Sequence, residues 1–450
     1  ELARILAQSA LFVAFLLAAG DAVLQVSDAL PLPGRYAPIV PIAILFGPPV
    51  FLLGFISPYA AELSLATSTG GASGRVYALG TIGSIVGSFG TTFVLVPSFS
   101  VGVVELLFGG LLVVAAAVIV VREAPRSMEA VRVAVVAILV VGAFVFGSTG
   151  LATGGSTVYQ TQTPYQQLEV TDEDGVRTLY LDGTPQSATY VDGRQGYVFE
   201  YLRYFHIPML VQDDVTNVLF IGGGGFTAPQ RYVAEYPNVT VDVVELDPVV
   251  IRTAEDHFGL QESERLRVHE GDGREFLEET NTTYDVIVLD AYRSDRVPFH
   301  LTTVEFMSLA HSKLDADGML VANVISRPSG SGSAFFRAEY KTMNAAFPHV
   351  YAFPTADTPF LQNIEVVATK QHLSEADLKR RAQTRDVGVP LEAQVDRMLD
   401  PASVETDDVP LLRDDKAPVD ELLDSQLGRR YVVTKTNGTA TPTTGTPAVG

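Results

Sequence analysis

Three features of the sequence predict a multi-pass α-helical membrane domain followed by an α/β Rossmann-like domain with a small N-terminal β lobe. Five apolar stretches of near-spanning length fill the first 150 residues. A strand–glycine–helix–strand unit runs from Val218 to Asp247, and short strands around two turns lie between these two parts. The expected divisions are residues 1–150 for the membrane helices, 151–215 for the β lobe and a linking helix, 216–370 for a nucleoside-cofactor domain, 371–433 for a helical extension and 434–450 for a disordered tail.

The apolar stretches run from Ile5 to Val26, Tyr36 to Ile56, Val76 to Val96, Val101 to Val121 and Val131 to Phe146. A bilayer core needs about 20 residues per helix. The second holds Pro38, Pro41, Pro48 and Pro49 and is expected to break or kink. The third carries Gly80, Gly83, Gly87 and Gly90 with Ser84 and Ser88, which reads as a helix-packing face. Five spans put Arg4, Arg75, Arg122, Arg126 and Arg132 on one side, and the positive-inside rule would then leave the second domain outside. A domain consuming a nucleoside cofactor belongs inside, where such cofactors are made, and a cytoplasmic domain at the membrane is the expectation adopted.

Charge follows the same division. The net charge of -21 falls almost wholly after residue 150, because the first part has six Arg and no Lys against seven acids. Such a surface does not suit nucleic acid. With six Lys among 31 basic residues, the acidic excess suggests solvation at high salt, an acidic cytosolic domain being the milder alternative. There are no cysteines, so disulfides and thiol nucleophiles are excluded, and seven scattered histidines without an HxxxH or HExxH pair predict no metal.

In the second part, Gly147 to Thr157 reads as a linker, Tyr165 to Val170 and Arg177 to Leu181 as strands, and Tyr197 to Leu210 as a helix. Val218 to Ile221 then forms a buried strand, Gly222 to Gly225 a turn into a helix containing Pro229, and Val239 to Val244 a second strand ending on Glu245. Glycines there let backbone approach a ligand, and an acid about 20 residues on can hold ribose hydroxyls, which points to a nucleoside-bearing ligand. Helices at Pro248 to His257, Arg274 to Glu279 and Thr302 to Leu314, the last with a capping box from Thr302 to Glu305, alternate with strands at Leu266 to His269, Tyr284 to Leu289 and Met319 to Ile325. A mobile loop at Arg327 to Ser333, a helix to about Ala346 and strands at Val350 to Phe353 and Ile364 to Thr369 close a doubly wound sheet of the methyltransferase type, and Ser374 to Leu399 reads as helical.

These segments carry YQQLEV at Tyr165, LDGTPQ at Leu181, HIPML at His206, VLFIGGGG at Val218, VVELDP at Val243, GDGREFL at Gly271, YDVIVLDAY at Tyr284 and PFHLTTVEF at Pro298. Together they resemble the spermidine synthase (polyamine aminopropyltransferase) family. RVYALGTIGSIVG at Arg75 and LLRDDKAPVDELL at Leu411 look like its membrane-fused subgroup. The resemblance implies that decarboxylated S-adenosylmethionine lies against Gln166, Gly222, Gly223, Gly224, Gly225 and Asp247. Glu245 would take its ribose, and Asp272 with Gly273 its adenine. Asp290 would be the catalytic carboxylate, and Gln186, Tyr197, Tyr292 and Arg293 would surround a small-molecule amine acceptor. Asp272 could equally cap a helix, and Asp290 could end a strand as a turn residue. The family also suggests a homo-oligomer, and the spans imply a lipid bilayer as partner.

Two positions depart from the family pattern. Gly225 stands where Asp is usual, and Asp290-Ala-Tyr-Arg293 replaces DxxD, so that Arg293 is expected to repel a diamine and attract an acidic substrate. The alternatives are a methyltransferase using ordinary S-adenosylmethionine on an acidic or membrane-associated acceptor, and a transporter or sensor with a nucleoside-binding domain.

Overall fold

The computed structural model describes residues 2–28, 39–63, 69–96, 99, 101–123, 128–148, 156–293, 296–330, 332–424 and 431–436. They divide into two units, Glu1–Gln167 and Leu168–Gly450, later in the chain than the boundary at residue 150 expected from composition.

Helices Leu2–Asp28, Ile39–Gly54, Ile56–Leu63, Thr69–Gly90, Val101–Glu123 and Met128–Ser148 make up most of the first unit, and β1 (Ser156–Gln162) follows them. Among the described residues, four segments are long and apolar enough to cross a membrane: Leu2–Gly20, Ile39–Glu62, Ser73–Leu95 and Gly102–Arg122. The fifth, Ala130–Val145, is the shorter apolar part of its helix. The second span continues through Pro48 and Pro49 and is interrupted at Phe55, whose amide donates to the Leu52 carbonyl (3.1 Å) in a tighter turn. A wider-wound turn, Thr91–Leu95, ends the third.

The glycine stripe of the third span requires a correction. A Cβ added at Gly80, Gly83, Gly87 or Gly90 would meet nothing within 4 Å, so that face packs on no helix among the described residues. The close approach occurs at Gly109, where a Cβ would stand 3.1 Å from both Val13 and Val140, at the meeting of the first, fourth and fifth long helices. Of the expected linker, Ser156 and Thr157 belong to β1, Gly147 and Ser148 end a helix, and 149–155 lie outside the described residues.

In the second unit, β2 (Gln167–Glu173), β3 (Val176–Leu181) and β4 (Thr184–Tyr190) form an antiparallel meander. Its two-residue turns, Asp174-Gly175 and Asp182-Gly183, have positive φ at both positions, the backbone that matches strand twist in tight hairpins. The linking helix is shorter and tighter than expected: a 3-10 segment, Glu200–His206, runs into Ile207–Val211.

The large sheet comprises β5 (Asn217–Ile221), β6 (Thr240–Glu245), β7 (Leu266–Glu270), β8 (Tyr284–Leu289), β9 (Leu314–Ser326), β10 (His349–Pro354), β11 (Leu361–Thr369) and β12 (Tyr431–Val432). Its order is β10-β11-β9-β8-β5-β6-β7, with β12 beside the start of β11. From β9 to β7 every pair is parallel, while β11 runs antiparallel to β9 and β10 and parallel to β12. Apolar alternation along the strands fills two cores: Val218, Phe220, Val286 and Val288 face one side with the meander and the Tyr201–Phe205 cluster, and Leu219, Ile221, Ile287 and Leu289 face the other with Phe306, Phe335 and Phe336.

Three sequence expectations shift. The helix cap is Thr303, whose hydroxyl accepts from the Phe306 amide (3.3 Å), because Thr302 donates to the Phe299 carbonyl instead. The long C-terminal helix becomes Glu375–Thr384 and Glu392–Val395, separated at Gly388 (φ 72°) and Pro390. Residues 434–436 are also ordered against Val198 and Glu200 through backbone bonds, and the rest of the expected tail, 437–450, lies outside the described residues.

Candidate active site

The chain leaves β5 for β6 and β7 on one side and returns to β8 and β9 on the other, so the order reverses between β5 and β8. Open α/β sheets bind ligands outside the strand ends at such a point. The β5 end is Gly222 to Gly225 and the β8 end is Asp290, whose amide donates to the Ile221 carbonyl (2.9 Å). Gly222 has φ 98°, and a Cβ there would lie 2.4 Å from the Asp290 carbonyl oxygen. Only glycine fits. Gly222→Ala is expected to cost about 2–4 kcal/mol from strain and backbone displacement, read as a lowered unfolding midpoint together with lost cofactor binding.

Gly225 has a different reason. Its Cβ would meet Ser187 Oγ at 2.7 Å and the Phe258 ring at 3.1 Å, so the family's Asp is excluded unless β4 shifts. Ser187 is in turn bound to Thr227 Oγ1 (2.7 Å) at the start of the next helix.

Glu245 ends β6 and turns back on the glycine loop. One carboxylate oxygen accepts from the Gly223 amide (2.9 Å) and the Gly224 amide (3.4 Å), and the other from the Asp247 amide (3.0 Å). Burial pushes its carboxyl above the usual range, while these amides oppose the shift. Asp247 caps the helix Pro248–Phe258 through one oxygen, accepting from Val249 (2.9 Å), and its other oxygen is buried without a partner. Asp272 takes the capping role as well, accepting from Arg274 (2.8 Å) and Glu275 (3.1 Å), and its second oxygen bonds the His300 ring (2.8 Å). Burial would raise the Asp272 carboxyl, but the Glu275 amide and His300 hold it below its ordinary value. Gly273 lets this helix pass under β5, since a Cβ would fall 2.3 Å from the Ile221 side chain.

Asp290 points to the sheet face shared by the meander. Asn323 donates to its Oδ1 (2.8 Å), Asn363 donates to the Asn323 oxygen (2.9 Å), and the Tyr431 hydroxyl donates to the Asn363 oxygen (2.8 Å). Tyr201, whose hydroxyl donates to the Gln186 carbonyl (3.2 Å), is close enough to favour the ionised carboxylate, as does Asn323. Burial outweighs both and, with the Glu245 charge, raises Asp290 to about 7.

Tyr197 and Tyr292 are corrections. The Tyr197 hydroxyl bonds buried His206 (2.7 Å), whose ring burial pushes down to about 3, and this pair packs in the core with Tyr232 and Tyr236. Tyr292 lies on the opposite core, donating to the Leu301 carbonyl (2.8 Å) and to Glu339 (3.0 Å). Sequence reading missed Tyr201, Asn323, Asn363, Glu365 and Tyr431 near Asp290. The β strands alternate, so Asn323, Asn363 and Glu365 interrupting apolar runs were the available signal. Arg293 pairs with Asp182 of the LDGTPQ turn (3.0 Å), which offsets its charge. Gln186 sits on β4 with its amide nitrogen buried and unpartnered. Gln166 belongs to the first unit, where its amide donates to Thr163 Oγ1 (3.0 Å) in a local turn. No group of acids and histidines suited to a metal occurs among the described residues.

Comparison with known proteins gives the family. Residues 200–375 match the spermine/spermidine synthase domain. The polyamine aminopropyltransferase of Vibrio vulnificus is 32% identical over 209 residues, covering 44% of this chain and 68% of the relative. The chain belongs to the polyamine aminopropyltransferase family. A probable polyamine aminopropyl transferase of Bifidobacterium longum is 28% identical, covering 62% of this chain and 64% of its own length, so the chain spans about two thirds of each relative. The spermidine synthase structure from Thermotoga maritima is 21% identical with a TM-score of 0.46, covering 55% of this chain and 85% of that one. In this member of the polyamine aminopropyltransferase family, the matched segment contains the glycine loop, Glu245, Asp272 and Asp290.

Proposed function

We propose that this protein transfers an aminopropyl group from decarboxylated S-adenosylmethionine to an amine in polyamine biosynthesis. The observation that carries the reading is Asp290, a buried carboxylate raised to about 7, set against a glycine loop at the sheet's switch point. The acceptor nitrogen forms a bond to the aminopropyl carbon, the carbon–sulfur bond breaks, and its electron pair leaves on a neutral thioether. No acid is needed for that leaving group. The acceptor loses a proton, and Asp290 receives it as general base. Holding the two centres in line supplies much of the remaining acceleration.

Gly222 to Gly225 give backbone access to the nucleoside, and Glu245 offers its ribose the oxygens that now tie the loop. Gln186 on β4 and Asp247 after β6 each hold a buried polar atom without a partner. Arg293 does not by itself exclude a diamine, because Asp182 pairs with it. Incubating the full-length protein in lipid with decarboxylated S-adenosylmethionine and a panel of amines tests the reading; an aminopropylated amine is the expected product. Methyl transfer from ordinary S-adenosylmethionine, with none from the decarboxylated form, would sink it.

Binding itself has a pH signature. A sulfonium cation near Asp290 favours the ionised carboxylate, so a group at about 7 releases a proton on binding. Affinity for decarboxylated S-adenosylmethionine is expected to rise with pH from about 6 to 7 and then level. Calorimetry in buffers of different ionisation enthalpy reads that proton, and Asp290→Asn should abolish it.

The apolar helices support anchoring in a bilayer, and a cytoplasmic second unit rests on where the cofactor is made, against the arginine distribution of the short loops. Protease accessibility in sealed vesicles of known orientation tests that placement.

A further inference from the structure

Glu365 is fully buried on β11, and neither of its carboxylate oxygens has a hydrogen-bond partner. An acid in that state is costly unless a ligand completes it. Its antiparallel partner across the sheet is Asn323, the residue that donates to Asp290. Two positions back on the same strand face, Asn363 is engaged on both sides, by Asn323 and by the Tyr431 hydroxyl. Directly opposed residues have Cβ atoms about 5 Å apart, so the Glu365 carboxylate stands roughly one side chain beyond the Asp290–Asn323 bond. Asp290, Asn323 and Asn363 thus have partners, and Glu365 presents two open acceptor oxygens on the same face. Tyr201, Tyr204 and Tyr431 are the other titratable groups facing this pair, with Glu245 across the glycine loop.

Two acceptors without a donor, next to a proposed base for an amine, fit a ligand that brings N–H donors and positive charge together. We propose that Glu365 binds the second, non-reacting ammonium of a diamine or polyamine acceptor, supplying the amine-binding carboxylate that position 293 lacks. This rests on the aminopropyl-transfer reading above. Burial pushes the Glu365 carboxyl up, as does the charge of Asp290, so the site gains its full charge when the cation arrives. The spacing suits a short chain between two nitrogens, one at Asp290 and one at Glu365.

The test uses the full-length protein in lipid, with 1,4-diaminobutane and butylamine as paired acceptors that differ in the second nitrogen. Glu365→Gln is expected to raise KM for 1,4-diaminobutane about 30-fold, the scale of one charge-assisted hydrogen bond, with kcat changed less than about threefold. KM for butylamine and affinity for decarboxylated S-adenosylmethionine should stay at wild-type values. Glu365→Asp, which keeps the charge, should give an intermediate KM and covers the case in which the Gln variant fails to fold. An unchanged diamine KM, or equal rises for both amines, would overturn the proposal. Direct calorimetric binding of 1,4-diaminobutane separates the two readings. If wild type binds the diamine, Glu365→Gln does not, and neither transfers an aminopropyl group, the reaction is wrong and the ammonium site stands.

Discussion

Asp290→Asn is expected to lower turnover by about 10²–10⁴-fold, the usual contribution of a positioned general base, while binding of decarboxylated S-adenosylmethionine at pH 8 weakens by no more than about tenfold, the gain that Asp290 ionisation supplies. Asn keeps the shape and can still meet Asn323, but it cannot take the acceptor's proton. Stability moves in the opposite direction. The folded Asp290 value of about 7 is above the ordinary carboxylate value near 4, so burying the charge costs stability above pH 7 and costs nothing below about pH 4. The variant should therefore be more stable than wild type at pH 8, by about 2–4 kcal/mol, with the difference fading as pH falls through that window. A turnover loss with unchanged unfolding at pH 8 would mean that Asp290 is not buried as the structure has it. Full retained activity would remove it from the chemistry.

Glu245→Gln is expected to weaken decarboxylated S-adenosylmethionine about 100-fold in equilibrium binding. Two charge-assisted hydrogen bonds to ribose become weaker neutral ones, at roughly 1.5 kcal/mol each. The loop contributes as well: a glutamine can accept from Gly223 and Gly224 only through its single oxygen, and its amino group then faces the Asp247 amide. Loss confined to adenosine-containing ligands, with amine binding intact, would assign Glu245 to the nucleoside. A matching loss of diamine binding would instead mean that the loop collapses and that Glu245 is structural.

Much of this was legible from the chain alone. Apolar runs, glycines after a strand and an acid at the next strand's tip each follow from local periodicity and spacing, which gave the long apolar helices, the order of βα units and the candidates Gly222, Glu245, Asp272 and Asp290. Roles for side chains that meet across the fold were harder to read. Tyr197 and Tyr292 sit near matching motifs, yet the connecting segments that carry them turn both into cores, toward His206 and Glu339. Tyr201 and Tyr431 are 230 positions apart and reach the same cluster because β12 lies beside the start of β11.

The sequence by itself determined which segments are apolar enough for a bilayer, that β5 to β9 alternate with helices, and that Gly222 opens the candidate nucleoside site. Each depends on the order of neighbouring residues. Tertiary structure decided which acids remain unpaired. Asp272 was taken by two amides and His300, Arg293 was offset by Asp182, and Glu365 was left open beside Asp290. Burial and pairing are set by residues distant in the chain, and desolvation, which raises Asp290 to about 7, exists only once those residues have closed around it.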